Sequence, residues 1–244
     1  MYQFFVQNEQ VQQNKIVILG SDVNHIGHVL RMKPSDVIRV SDEDGKAYFC
    51  HITEISEKEV WAEIDRVDET GTELSNRIYL FQGLPKNEKM ELIIQKAVEL
   101  GVYEVIPVAM KNCVVKLDEK KVEGKVKRWQ AIAESAAKQS KRTIIPTVSM
   151  PIPYKQAMER AKGLDITLVP YENARGMEAT RELFSGIRKG ESIGIVIGPE
   201  GGFSEEEIEL ASGSMHCISL GRRILRTETA GLATLAMLNL MLED

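Results

Sequence analysis

Cysteine is scarce in this chain: three among 244 residues, at positions 50, 113 and 217, with no C-x-x-C pair. An odd number so widely spaced excludes a disulfide framework and fits a reducing compartment, with each thiol expected as a buried hydrophobe. Long apolar runs are also missing, and Met1–Gln10 (M-Y-Q-F-F-V-Q-N-E-Q) has neither a basic opening nor an apolar core. A membrane span and an export signal are therefore not expected, and a cytoplasmic location is. Four histidines offer little. His25 and His28 are three apart without a third ligand at matching spacing, and His51 and His216 fall in β-prone runs, so no metal site is expected. No serine–histidine–acid or cysteine–histidine arrangement can be argued from spacing. Neither G-x-x-x-x-G-K-[ST] nor G-x-G-x-x-G occurs where a phosphate or dinucleotide loop requires it.

What is present is a composition of 43% hydrophobic and 27% charged residues with a net charge of -5. The distribution of charge says more than its sum. Asp42–Glu73 holds eleven acids and three bases, a balance of -8, whereas Lys111–Arg142 holds ten bases and four acids, a balance of +6. A local positive face suffices for a phosphate backbone, although a lysine-rich solvated helix would look the same.

Residues 1–72 read as a small, mostly β domain. Short β-prone runs fall at Ile16–Leu19, Val37–Val40, Ala47–Ile55 and Val60–Ile64, with a turn at Glu43–Gly45. Ser21–Arg31 reads as a short helix, with Val29 and Leu30 inward and Pro34 ending it. The polar stretch Asp65–Asn76 is the linker candidate. From residue 73 the rhythm becomes α/β. Strands are expected at Ile78–Phe81, within Val102–Met110, at Asp165–Val169, from Ile193 and at His216–Leu220. Helices are expected at Lys86–Leu100, Val126–Gln139, Gly176–Ile187, after a Ser204/Glu207 capping box, and at Thr227–Leu242. Such alternation implies a mostly parallel sheet with helices on both faces. The last helix has almost no polar side. It is expected to be buried all round by threading through the domain, or to lie in a dimer interface, or simply to be a greasy packing helix.

Two glycine-bearing turns follow buried strands: G-P-E-G-G-F at Gly198–Phe203, and S-L-G-R-R-I-L-R-T-E-T-A-G at Ser219–Gly231. Missing side chains let a ligand lie against backbone groups, so the pair suits a small cofactor, while a tight structural turn is the plainer alternative. Fixed acid at Glu200 would repel a pyrophosphate and accept a positively charged ligand such as a sulfonium. Arg226 stands at a helix start, where a cation is poorly placed, so it is expected either to meet an anion or to pair with Glu228 or Glu200.

These two motifs in this order, with H-V-L-R at His28–Arg31, K-N-E-K-M-E-L-I-I-Q-K-A-V-E-L-G-V at Lys86–Val102 and Q-S-K-R at Gln139–Arg142, resemble the bacterial 16S ribosomal RNA uridine-N3 methyltransferases of the SPOUT superfamily. The resemblance implies a PUA-like β-barrel RNA-binding domain over residues 1–72. It also implies an α/β SPOUT domain over 73–244 with a C-terminal trefoil knot, and a homodimer using S-adenosylmethionine. Its cofactor pocket would draw on Leu168, Pro170, Glu172, Gly198, Pro199, Glu200, Gly201, Gly202, Leu220, Gly221, Ile224, Leu225 and Arg226. Arg226 would be the catalytic cation, with Glu228 or Glu200 as proton acceptor. RNA would meet His28, Arg31, Lys33, Lys86, Lys138, Lys141 and Arg142. Two positions depart from the pattern: Lys138 stands where an acid is frequent, and Lys141 replaces a glycine. A transfer-RNA base or ribose methyltransferase, or a noncatalytic ribosome-assembly module, is the alternative.

Overall fold

The computed structural model describes residues 1–86, 88–115, 119–174 and 176–243. Asn87 of the K-N-E-K segment, and Lys116 and Asp118 of the basic stretch, lie outside the described residues. The chain divides into two compact units: Met1–Glu73 with Ala137–Ile145, and Leu74–Ala136 with Pro146–Asp244.

The first unit is a six-stranded sheet formed by β1 (Tyr2–Phe5), β2 (Val11–Gln12), β3 (Lys15–Leu19), β4 (Val37–Ser41), β5 (Ala47–Ile55) and β6 (Glu59–Asp68). Its order is β1-β4-β5-β6-β3-β2, antiparallel except for β1 on β4. Alternation puts Phe4, Ile16, Ile18, Ile38, Val40, Cys50, Ile52 and Val60 into one core. A one-turn helix, α1 (Ser21–Asn24), runs into a π-helical turn at His25–Val29. This element turns Val23 and Ile26 inward and leaves Val29 61% exposed, so the expected inward pair was misread at Val29. The π turn widens the helical period, which defeats a 3.6-residue reading. The expected linker is also shorter than its polarity suggested, because β6 continues to Asp68 and pairs with β5 as far as Ala47.

On the opposite face of β1 and β4 a polar network is buried. Arg39 pairs with Asp68 at 2.6 Å, donates to the Gln3 side chain at 3.1 Å and also reaches the carbonyl of Lys141. Arg142, 4% exposed, pairs with Glu73, whose carboxylate further accepts the Thr143 N–H at 2.8 Å. Residues 137–145 therefore belong to the N-terminal unit through ion pairing, which apolar periodicity cannot register.

The second unit is a parallel sheet of β7 (Arg77–Gly83), β8 (Glu104–Ala109), β9 (Thr147–Val148), β10 (Ile152–Pro153), β11 (Ile166–Pro170), β12 (Ser192–Ile197) and β13 (His216–Ile218). Its main path is β10-β8-β7-β12-β11-β13, with β9 beside β8. The helices are α2 (Lys89–Glu99), α3 (Glu119–Ser140), α4 (Tyr154–Lys162), α5 (Glu178–Ser185), α6 (Glu205–Ser212) and α7 (Thr227–Leu242). Helices α4 and α6 pack over Phe81, Ile106, Val108, Val169 and Val196, while α2 and α7 pack together and α7 covers β7 and β12. Both faces of the sheet are thus covered, which is why its strands read as continuous apolar runs. Helix α4 had no counterpart in the sequence reading. Its nine residues bury only Tyr154, Ala157, Met158 and Ala161, a pattern with little hydrocarbon in it.

Helix α7 is not buried all round. Thr234, Leu235 and Leu238 face the sheet, whereas Leu240 is 83% and Met241 49% exposed. Cys217 is likewise exposed and Cys113 half-buried, leaving Cys50 as the one buried thiol among the three. Burial pushes the Cys50 thiol up to about 12. No described helix is long and apolar enough to cross a membrane.

Candidate functional site

A cleft of about 560 Å³ lies beyond the carboxyl ends of β11, β12 and β13, within the second unit. Parallel sheets place ligands there, where strand order breaks and backbone groups are left without strand partners. Three segments form its walls: Pro170–Glu172, Ile197–Phe203 and Ser219–Thr227. Of the expected cofactor residues, all but Leu168 lie on these walls. Leu168 is fully buried inside β11, paired with β12 and β13, and supports the cleft from beneath. Tyr171, Phe203, Arg222, Arg223 and Thr227, from the same expected segments, also line the cleft, as does Lys89, which was not expected there.

Local chemistry explains the shape of the walls. The Ser204 side chain accepts from the Glu207 N–H at 3.3 Å and Glu207 returns to the Ser204 N–H at 2.9 Å, so the 198–203 loop ends on a capping box. Gly202 (φ +67°) and Gly221 (φ +105°) adopt left-handed backbone, and open space lies where their side chains would be. A relay joins the two loops. Fully buried Gln82 on β7 donates to Thr227 Oγ1 at 2.9 Å, and Thr227 donates to the Gly198 carbonyl at 2.7 Å.

The charges are sorted sharply. Lys89, on the first turn of α2, contacts Glu200 Oε1 and Glu228 Oε2, each at 3.1 Å. Glu200 also accepts the Lys86 N–H at 3.0 and 3.2 Å. Burial opposes ionisation of Glu200, but the N–H groups of Glu200 and Lys86 and the Lys89 ammonium together hold its carboxyl below the usual range. Glu228 follows the same balance: burial raises it, while its own N–H, Lys89 and Arg226 bring it lower. Both acids are thus tied to one lysine; Glu200 lines the cleft and Glu228 does not. Arg226 is the N-cap of α7 and its carbonyl accepts from Thr229 and Ala230 at 2.8 and 2.9 Å. Its exposed side chain has no hydrogen-bond or ion-pair partner among the described residues, so the expected alternative of a salt bridge to Glu228 or Glu200 does not form.

The expected RNA contacts separate into two groups. His28, Arg31, Lys33 and Lys86 are exposed. Lys138 is paired with Asp22 at 3.0 Å and Arg142 with Glu73, both inside the first unit. Lys141 is half-buried; burial, then Arg39, depress its ammonium below the usual range. The last three are architectural as placed. Lys141 also has φ +65°, the backbone that favours glycine, which accounts for the family residue it replaces.

Comparison with known proteins places the chain in a family. Residues 72–239 match the RNA methyltransferase domain family and residues 18–65 the RNA methyltransferase PUA domain family. Ribosomal RNA small subunit methyltransferase E of Bacillus subtilis is 36% identical, covering 100% of this chain and 98% of that protein. The protein of the same name from Mesomycoplasma hyopneumoniae is also 36% identical, over 95% and 96% of the two chains. A crystal structure of ribosomal RNA small subunit methyltransferase E from Neisseria gonorrhoeae bound to S-adenosyl methionine superposes with a TM-score of 0.84 at 30% identity, covering 99% and 98%. With a family model over most of its length and relatives matched end to end, the chain belongs to the family of RNA methyltransferases represented by ribosomal RNA small subunit methyltransferase E.

Proposed function

We propose that this chain methylates N3 of a uridine in 16S ribosomal RNA of the small subunit, in the cytoplasm, with S-adenosylmethionine as donor. The observation that carries the reading is a cleft walled by open glycine backbone and lined by Arg226, unpartnered among the described residues, in a chain related over its full length to a protein crystallised with that donor.

The residues fit the group. Gly202 and Gly221 leave room beside the backbone for a flat ring, and Leu220, Ile224 and Leu225 supply apolar wall. Pro170, Glu172 and the Gly198–Gly202 backbone complete the pocket. When bound, the donor supplies a methyl group on a sulfonium, suited to in-line transfer once it and the base are held in near-attack geometry. Arg226 stabilises the negative charge that develops on the uracil ring as N3 loses its proton. Glu200 and Glu228 hold Lys89 in place and stay ionised while the proton leaves to solvent. Exposed His28, Arg31, Lys33 and Lys86 meet the RNA backbone.

The reading extends to assembly. The PUA-like domain of residues 1–72 captures RNA, and residues 73–244 form the SPOUT domain, with its last segment threaded as a trefoil knot. The apolar outer face of α7, with Ala236, Leu240 and Met241 exposed, is the seam of a homodimer.

The test is direct. Purified protein, labelled donor and small subunits lacking the modification are incubated, and the product is digested and mapped. N3-methyluridine in 16S RNA is expected; a methylated ribose, or no product, overturns the reading. Sedimentation at micromolar concentration reads the dimer, and a fully active monomer overturns that part.

A further inference from the structure

Lys89 lies in the Lys86–Val102 motif but was not among the expected site residues, yet it lines the cleft and its side chain is 27% exposed. Its ammonium has three N–H donors, of which Glu200 and Glu228 accept two. The third has no partner among the described residues. Arg226 lines the same cleft, is also unpartnered there, and lies close enough to Glu228 to depress its carboxyl. Two cations with unused donors, both near the Glu228 carboxylate, therefore line a single cleft.

Uracil has a matching edge. N3 stands between two carbonyl oxygens, and removing its proton spreads the charge over both. One cation can stabilise only one end of that imide anion. We propose that Lys89 is a second catalytic cation, its remaining N–H donating to one carbonyl oxygen that flanks N3 while Arg226 donates to the other. This rests on the uridine-N3 reading above and deepens it.

The step balances. The N3–H bond breaks, its electron pair stays on N3 and the proton passes to a cleft water. That pair then takes the methyl group, and the electrons of the broken carbon–sulfur bond remain on sulfur. A neutral base and a sulfonium thus become a neutral methylated base, a neutral thioether and a hydrated proton. The same pair of donors selects the base. Cytosine offers one carbonyl and one amino group beside N3, so one cation would face a donor and be left unpaired, which costs far more than a missing methyl contact. The two acids gain a purpose as well. They fix the ammonium without being consumed.

The test uses Lys89→Met in the full-length protein, on small subunits lacking the modification. Calorimetry with S-adenosylmethionine counts competent sites, so turnover is expressed per folded site and a partly unfolded preparation is corrected for. Turnover is expected to fall by roughly 100-fold, the size typical of one lost preorganised donor, with donor affinity within about threefold of wild type. The mapped uridine is then replaced by 5-fluorouridine, whose N3 proton is more acidic. This substitution is expected to rescue the variant by about tenfold and to change wild type little, because only the variant lacks help in forming the anion. A loss of turnover that 5-fluorouridine leaves untouched overturns the proposal, as does weakened donor binding with normal saturated turnover. Wild type producing something other than N3-methyluridine overturns the underlying reading instead, so the two failures are distinguishable.

Discussion

Two sets of arginines in this protein show how the same side chain is committed to opposite ends. Arg39 and Arg142 in the first unit are 3% and 4% exposed, and bind Asp68, Glu73, Gln3 and backbone carbonyls. Arg226 in the second unit is exposed, caps a helix with its backbone alone, and leaves its guanidinium without a partner among the described residues. Desolvating a guanidinium is tolerable only when carboxylates and carbonyls replace its water. A cation that keeps its donors open in a cleft remains available for a ligand. Saturation therefore separates architecture from chemistry better than charge density does, and it sets the ion-paired Arg142 and Lys138 apart from the exposed His28, Arg31, Lys33 and Lys86.

The comparison can be broken at either end. Arg142→Ala removes the ion-pair partner of Glu73 and leaves its carboxylate to backbone N–H groups such as that of Thr143, so stability should fall by roughly 3 kcal/mol. Urea unfolding measures this, and an unchanged midpoint would place Arg142 on the surface after all. Arg226→Ala should leave the midpoint almost unmoved while turnover falls by about 100-fold, near 2.7 kcal/mol. Arg226→Lys should recover only part, since the planar fork is lost. A large shift in melting temperature would make Arg226 architectural.

Acid sharpens the contrast further. The Glu200 and Glu228 carboxyls are held below their usual range, so their contribution is complete above the unfolded value of about 4.3 and is lost as pH falls through the lower folded value. Glu228→Gln should therefore cost under about 1 kcal/mol at pH 7, and less still near pH 3.5. Urea titrations at the two pH values check it, and a cost that grows with acid would reverse the assignment. The smallest effect is expected at Lys141. Its left-handed backbone makes Lys141→Gly stabilising by roughly 0.5–1 kcal/mol, with the bonds from Arg39 and Thr72 to its carbonyl intact.

What could be read in advance followed the range over which each feature acts. The Ser204–Glu207 box and the bounds of α7 were legible because caps and apolar runs are local. Both glycine-bearing loops were legible for the same reason, and both wall the cleft. Lys89 was not: its place depends on Glu200 and Glu228, both more than a hundred positions away. The contacts of residues 137–145 were illegible for a like cause, since their bonds run to Arg39, Glu73 and Gln3, all more than sixty positions away. Charge runs record composition, whereas a pair of opposite charges is a property of the fold.

The relay from Gln82 through Thr227 to Gly198 also has a kinetic side. It fastens the glycine loop after β12 to the first turn of α7, so those walls can part only by breaking buried hydrogen bonds. The turn between Gly221 and Leu225 is open instead: Arg222 and Arg223 are exposed and Ile224 is 81% exposed. One jaw of the cleft is tied by buried bonds and the other stands exposed, so substitutions at Ile224 should change how long a ligand stays more than how quickly it arrives.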